Sequence, residues 1–190
     1  MIHSIFPPNN FYSLINVPNK EDLVKGLRRA KVDPVSTKNI SWNKDCDVKV
    51  EVLYNDEVRE LFTPIVEIFV KQFENHIPLK LEGVWRNTYI KGSFQEIHDH
   101  SGGGDVSGCV FLEDFDEEAG KFYFYNRHAS EIGAKWRYLL MGDKMDEMLS
   151  KVIVHDAGDV LLFPSYVLHG VTLHRLRRPR TTISFNMSFV

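Results

Sequence analysis

The sequence predicts a mainly β fold with flanking helices, an α+β chain whose core is an antiparallel jelly roll. Three observations carry this. Six segments between Glu82 and Val190 have the β-branched and aromatic composition of strands. The breaks between them include short turn signals, Gly102-Gly103-Gly104, Asp156-Ala157-Gly158-Asp159 and Pro164-Ser165. The two segments with clear helical period both lie in the first 80 residues. Strands joined in this way pack as a sandwich, and a jelly roll closes one around a small site.

A chain of 190 residues suffices for one domain with a sizeable core. The expected division is residues 1–80 as lead-in strands and supporting helices and 81–190 as the jelly-roll core. A hydrophobic fraction of 43% with 26% charged residues excludes a disordered or fibrous chain. The net charge of -3 argues against a phosphate-binding surface, so no nucleic-acid partner is expected despite the local RLRRPR run. Cys46 and Cys109 lie far apart without metal or disulfide spacing, which fits a reducing compartment. No apolar run reaches membrane-spanning length. The expectation is a soluble, cytoplasmic protein without a membrane partner, and nothing excludes a homo-oligomer.

In chain order, Ile2 to Val17 mixes apolar residues with Pro7-Pro8 and Asn9-Asn10, as in an edge strand or lead-in loop. Asn19 is placed to cap a short helix over KEDLVKGLRRA, acids first and bases last, as the helix dipole favours. Asp47 to Tyr54 alternates charged and apolar positions, a strand with its valines on one face. Asn55 or Asp56 can cap a second helix running toward His76, with Val58, Leu61, Ile65, Ile68, Phe69 and Phe73 at helical spacing and a kink point at Pro64. The strands follow at Glu82–Ile90, Val106–Leu112, Lys121–Tyr125, Lys151–Val154, Val160–Phe163 and Thr181–Val190. Ala129 to Ser150 reads either as a helix near Lys144 to Leu149 or as a mobile flap.

The chemistry concentrates in YIKGSFQEIHDH, Tyr89 to His100, and in the segment from Phe163 to Phe185. In an extended strand, His98 and His100 leave the same face. His169 follows a strand and turn that a two-sheet fold can bring opposite them. Three imidazoles define a transition-metal site without choosing among iron, zinc, copper and nickel. His3, His76, His128 and His155 are read as surface or hydrogen-bonded side chains. Strand alternation puts Arg180, Thr182 and Ser184 on one face. A guanidinium fork with a hydroxyl two residues on makes a carboxylate site. Arg175, Arg177 and Arg178 are read as a solvated basic loop.

The ordered set Tyr89-x-x-Gly92, His98-x-His100, Ser107-Gly108, Gly158-Asp159-Val160-Leu161-Leu162-Phe163-Pro164-Ser165, His169-Gly170-Val171 and Arg180-x-Thr182-Ile183-Ser184-Phe185-Asn186 resembles the 2-oxoglutarate and Fe(II)-dependent oxygenases. It is most similar to the small bacterial and phage members with an H-x-H signature, for which the compartment would be the host cytoplasm if phage-encoded. The resemblance runs from Trp85 to the C-terminus, with a fainter echo at Ser41-Trp42 and Cys46 to Leu53. It implies a double-stranded β-helix of cupin-like type, with Fe(II) on His98, His100 and His169. It also implies 2-oxoglutarate held by Arg180 and Thr182 with a hydrogen bond from Tyr89, Asn87 as a further co-substrate contact, and O2 as oxidant. The activity implied is a dioxygenase that hydroxylates a C–H bond of a small molecule or a protein residue and releases succinate and CO2.

His100 departs from the common pattern, which carries a carboxylate there. Asp99 points to the opposite strand face, and Asp105 lies beyond the glycine run; a three-histidine site is the expectation. The acidic run Asp114, Asp116, Glu117 and Glu118 reads as a solvated hairpin. Trp85, Phe122, Phe124 and Trp136 read as core before pocket, and Gly102 to Gly104 as a long turn before a gating loop. The alternative function is a cupin-like metal-binding or structural module without oxygenase activity.

Overall fold

A computed structural model describes residues 10–38, 46–142 and 146–190. The echo at Ser41-Trp42, the lead-in residues before Asn10, His3, and the start of the helix expected at Lys144 lie outside the described residues.

Among the described residues, ten strands form two antiparallel sheets. They are β1 (Ser13–Asn16), β2 (Val48–Val52), β3 (Leu79–Tyr89), β4 (Gln95–His98), β5 (Val106–Phe111), β6 (Phe122–Tyr125), β7 (Ser150–Val152), β8 (Asp159–Pro164), β9 (His169–Val171) and β10 (Arg180–Phe189). The larger sheet has the order β1-β8-β5-β10-β3-β2 and the smaller β4-β9-β6-β7. Each sequence-predicted strand is present within a few residues, and the lead-in becomes an edge strand pairing β8 through Ser13↔Leu162 to Asn16↔Asp159.

The larger sheet is covered on both faces, and β5 and β8 are buried at every position. Val160, Leu162, Ile183, Phe185 and Met187 pack on one side against Leu23 and Leu27 of α1 (Lys20–Arg29) and Val58, Phe62, Ile65 and Phe69 of α3 (Asn55–Val70). Leu161, Phe163, Cys109, Phe111 and Tyr89 face the other way and meet Phe122, Phe124 and Val171 of the smaller sheet. A short helix, α2 (Pro34–Lys38), lies between α1 and β2.

Asn19 precedes α1 as expected but adopts a left-handed backbone with no side-chain cap. Its carbonyl instead accepts from the amides of Asp22 and Leu23. The other end of α1 is tied to the sheet by Arg86 of β3, whose Nη2 donates to the carbonyls of Leu27 at 2.9 Å, Arg28 at 3.2 Å and Ala30 at 3.2 Å. These carbonyls are among those a helix cannot satisfy internally. The second helix begins at Asn55, which donates to the Glu82 carbonyl rather than capping, runs through Pro64, and stops at Val70. The expected turns to His76 do not form: the amides of Gln72 and Phe73 make only tighter bonds, to Phe69 and Val70, before the polar run Glu74-Asn75-His76 and Pro78.

In the 129–150 segment the structure has a 3-10 turn at Arg127–Glu131, α4 (Ala134–Met141) and α5 (Asp146–Leu149). Trp136, read as core, is 63% exposed on α4. The acidic hairpin is solvated as expected, and it pairs with the basic loop, Asp116 with Arg178 at 2.7 Å and Glu118 with Arg175 at 4.0 Å.

Gly108 in β5 marks the tightest approach in the sheet. A Cβ there would meet the Phe185 ring and stand 2.6 Å from the Leu161 carbonyl oxygen, whereas one at Gly102 meets nothing within 4 Å. Gly108→Ala is expected to destabilise the protein by about 3 kcal/mol and Gly102→Ala to stay within about 0.5 kcal/mol of the parent. Urea denaturation of both variants reads the contrast.

Candidate metal centre

The smaller sheet assembles the imidazoles. His98 at the end of β4 pairs directly with His169 at the start of β9, which sets the two side chains on one face. His100 lies past the end of β4, so the strand-face argument for it does not hold. A turn returns it to the cluster, anchored by its amide, which donates to the Ser165 carbonyl at 2.8 Å. The ring centroids stand 4.3 Å apart for His98 and His169, 5.0 Å for His98 and His100, and 5.1 Å for His100 and His169. One nitrogen from each lies within 4.8 Å of the others.

Carbonyl oxygens set the tautomers. His98 Nδ1 is 2.8 Å from the Glu96 carbonyl and His169 Nδ1 is 2.9 Å from that of Val167. A carbonyl can only accept, so each Nδ1 carries the proton and each Nε2 presents a lone pair, the arrangement metal-binding histidines adopt. Burial, followed by the neighbouring His98, lowers His100 to about 4 and His169 to about 3. Both are neutral near pH 7. Trp85 stacks on His100 at 5.7 Å and Phe122 on His169 at 5.3 Å, so both aromatics belong to the site's wall, while Phe124 is buried against Phe163 at 5.0 Å.

Neither acid near His100 joins the cluster. Asp99 accepts from the Ser101 amide at 3.1 Å, and Asp105 from the Phe189 amide at 2.9 Å. The glycine run is a pinned turn, with Gly103 N bonded to the His100 carbonyl and Asp105 N to that of Met187. Beneath it Ser107 Oγ bonds Ser165 Oγ and Asn186 Oδ1, each at 2.8 Å. The sequence had not singled out this polar triad as support for the His100 turn.

Arg180 lies deeper between the sheets. It is 6% exposed, pairs with Tyr89 across β3 and β10, and holds its guanidinium 5.5 Å from the Tyr89 ring and 5.9 Å from the Phe111 ring. Nη1 and Nη2 are buried and, among the described residues, have no hydrogen-bond partner. A buried, unpaired charge costs several kcal/mol, and among the described residues no acceptor meets it. A small cavity of about 20 Å³ connects this guanidinium, Thr182 and Tyr89 with His100 and His169. That is room for about one water, and lining side chains must rotate to admit a larger ligand. The donor chemistry fits a metal with a dicarboxylate beside it. Asn87 lies outside this lining: it is buried, and its amide donates to Ser184 Oγ at 2.8 Å. A groove of about 790 Å³ lies beyond Ser165 between Phe73, Leu79, Tyr166 and Phe189.

Two histidines behave differently from their sequence reading or escaped it. His155, read as a surface or hydrogen-bonded residue, is buried and stacks on Phe111 at 3.6 Å. Burial, then the Arg180 charge, lowers it to about 4. His174 escaped notice; it is buried, accepts from the Gly120 amide at 3.1 Å and donates to the Arg178 carbonyl. When the chain unfolds, His100, His155 and His169 return to about 6.5 and take up protons that the folded protein resists. The unfolded state then binds more protons, so stability is full above about pH 6.5 and is lost as pH falls toward about 4. Thermal melts of the metal-free protein across this range should show the loss, and His155→Phe should remove about a third of its pH slope.

Residues 83–186 match the family model described as "Putative 2OG-Fe(II) oxygenase", more than half of the chain. No curated protein sequence matches. Among solved structures, an oxidoreductase of the 2OG-Fe(II) oxygenase family from Burkholderia pseudomallei is similar at 14% identity and a TM-score of 0.65, covering 93% of this chain and 85% of that one. HygX from Streptomyces hygroscopicus, solved with nickel and 2-oxoglutarate bound, is similar at 16% identity and 0.58, covering 93% and 82%. The carbocyclase SnoK from nogalamycin biosynthesis is similar at 14% and 0.64, covering 93% and 79%. At these identities the structures establish a shared fold, the double-stranded β-helix. With the family match spanning both ends of the histidine and arginine set, the chain belongs to the 2-oxoglutarate and Fe(II)-dependent oxygenase family.

Proposed function

We propose that His98, His100 and His169 hold the Fe(II) of this oxygenase and that Arg180 and Thr182 hold the distal carboxylate of 2-oxoglutarate. The substrate is a small molecule or a protein residue that receives one oxygen atom at a C–H bond. The observation that carries this reading is the buried Arg180 fork with both terminal nitrogens unpaired, joined by one cavity to two of the three imidazoles. A metal-binding module without redox chemistry would have no use for that charge.

When bound, Fe(II) and 2-oxoglutarate let O2 be reduced as the keto acid loses CO2 to become succinate, one oxygen atom entering succinate and the other the substrate. The chain's residues bind and orient. His98 and His169 are held in one tautomer by the Glu96 and Val167 carbonyls, and low proton affinity keeps His100 and His169 available near neutral pH. Three neutral imidazoles leave the full charge of the cation uncompensated, which strengthens its attraction for an anionic co-substrate. Phe122, Phe163 and Trp85 line the cavity and limit water. Cys109 sits in the same wall, and burial pushes its thiol up to about 12, so it remains protonated. Among the described residues no helix is long and apolar enough to cross a membrane. The wide separation of Cys46 and Cys109 in the sequence, without metal or disulfide spacing, supports a cytoplasmic location.

Anaerobic titration with Fe(II) and 2-oxoglutarate should produce a metal-to-ligand charge-transfer band, and turnover with O2 should yield succinate that His169→Ala abolishes. Arg180→Ala should weaken 2-oxoglutarate on the order of 100-fold, about 2.7 kcal/mol, while Fe(II) still binds. Metal binding with no band, and no effect of Arg180→Ala, would instead establish the metal-binding module.

A further inference from the structure

We infer that Gln95 is a further co-substrate-binding residue, whose side-chain amide donates a hydrogen bond to the metal-bound end of 2-oxoglutarate and is oriented for this by Tyr89. The inference rests on the metal and co-substrate site proposed above.

Strand alternation would place Gln95 and His98, three residues apart, on opposite faces. The structure does otherwise. Gln95 pairs with Val171 and His98 with His169, so three steps along β4 span two along β9. This irregularity puts both side chains on the face that Val171 and His169 share. Such bulges re-aim side chains beside active sites. Gln95 lines the cavity between the imidazoles and Arg180.

The amide has a defined direction. Gln95 Oε1 lies 2.9 Å from the Tyr89 hydroxyl. Burial keeps that phenol protonated, raising it well above its usual range, so it donates and Oε1 accepts. The opposite end, Nε2, lies 3.5 Å from His98 Nε2. His98 has its proton on Nδ1, fixed by the Glu96 carbonyl, so the amide N–H points at a lone pair. A metal takes that lone pair. The N–H then lacks an acceptor on His98 while remaining beside the ion, and the atom that can receive it is an oxygen bound next to His98. A 2-oxoglutarate carboxylate oxygen, negatively charged and metal-bound, is a strong acceptor for it.

Arg180 and Gln95 would thus address opposite ends of one dicarboxylate, the guanidinium at the distal end and the amide near the metal. Tyr89, which its position in the family pattern suggested as a direct co-substrate donor, spends its hydroxyl on Gln95 and acts through it as a positioning residue. Its ring meanwhile faces the Arg180 guanidinium.

The test is an anaerobic optical titration of the Fe(II)-loaded protein with 2-oxoglutarate, comparing the parent with Gln95→Leu, Gln95→Glu, Tyr89→Phe and the Gln95→Leu/Tyr89→Phe double variant. Fe(II) affinity is measured separately. Gln95→Leu should bind Fe(II) within about twofold of the parent yet bind 2-oxoglutarate at least about tenfold more weakly, with a shifted charge-transfer band. Gln95→Glu, near-isosteric and able to fold if leucine disturbs β4, should lose at least as much 2-oxoglutarate affinity, because an acceptor carboxylate replaces the donor, while Fe(II) affinity holds or rises. Tyr89→Phe should cost less than Gln95→Leu, and the double variant should match Gln95→Leu within about twofold, since a residue acting through another adds nothing once that other is gone. Parent-like 2-oxoglutarate binding by both Gln95 variants, or multiplying effects in the double variant, overturns the inference and leaves the site intact. A parent protein that shows no band and no saturation overturns both.

Discussion

The structure depends on holding a full positive charge at Arg180 between two sheets, with no hydrogen-bond partner for either terminal nitrogen. Burial of that kind is tolerated only where the surroundings over-determine it. Here β10 is paired on both sides, with β5 in unbroken register from Thr182 to Met187 and with β3 in register from Arg180 to Asn186 before a shift at Met187. The guanidinium lies over the faces of Tyr89 and Phe111, which return part of the lost hydration as cation–π attraction. The apolar contacts of Ile183, Phe185 and Met187 with the helices on the other face keep the strand from turning the charge out to water. The helices therefore serve the site indirectly, by making one face of β10 too costly to expose.

The histidine cluster is organised on a different principle. The smaller sheet is short and irregular, and its two paired histidines are each fixed by a hydrogen bond to a carbonyl. His98 and His169 face each other by register, but His100 depends on one backbone bond to Ser165 and on the pinned glycine turn beneath it. The Ser107, Ser165 and Asn186 hydroxyl and amide network links that turn to the larger sheet. The buried Arg180 guanidinium and the histidine cluster meet at one small cavity.

How far the amino-acid order reveals this differs by residue. Arg180 and Thr182 were legible because period-two alternation survives in a long strand paired on both sides, and His169 because it follows a strand and a turn at a recognisable spacing. The apolar runs of β5 and β8 were legible as strands for the same reason that they lack alternation, burial on both faces. His100 was identified for an incomplete reason: the strand ends at His98, and a turn rather than a shared face brings His100 in. Gln95 was invisible, since its place opposite His98 by alternation is reversed by an irregularity that only pairing with β9 creates. His155 looked like a surface residue because nothing local says that Phe111, forty-four positions earlier, will cover its ring.

By itself, then, the sequence determined the strand and helix segments and the two faces of β10, because these follow from local periodicity and residue chemistry. The tertiary structure alone decided that, among the described residues, neither terminal nitrogen of Arg180 has a hydrogen-bond partner, that neither Asp99 nor Asp105 joins the histidine cluster, and that the Tyr89 hydroxyl meets Gln95. Each of these depends on which strands become neighbours and in what register, a balance of burial over the whole chain that no window of residues contains.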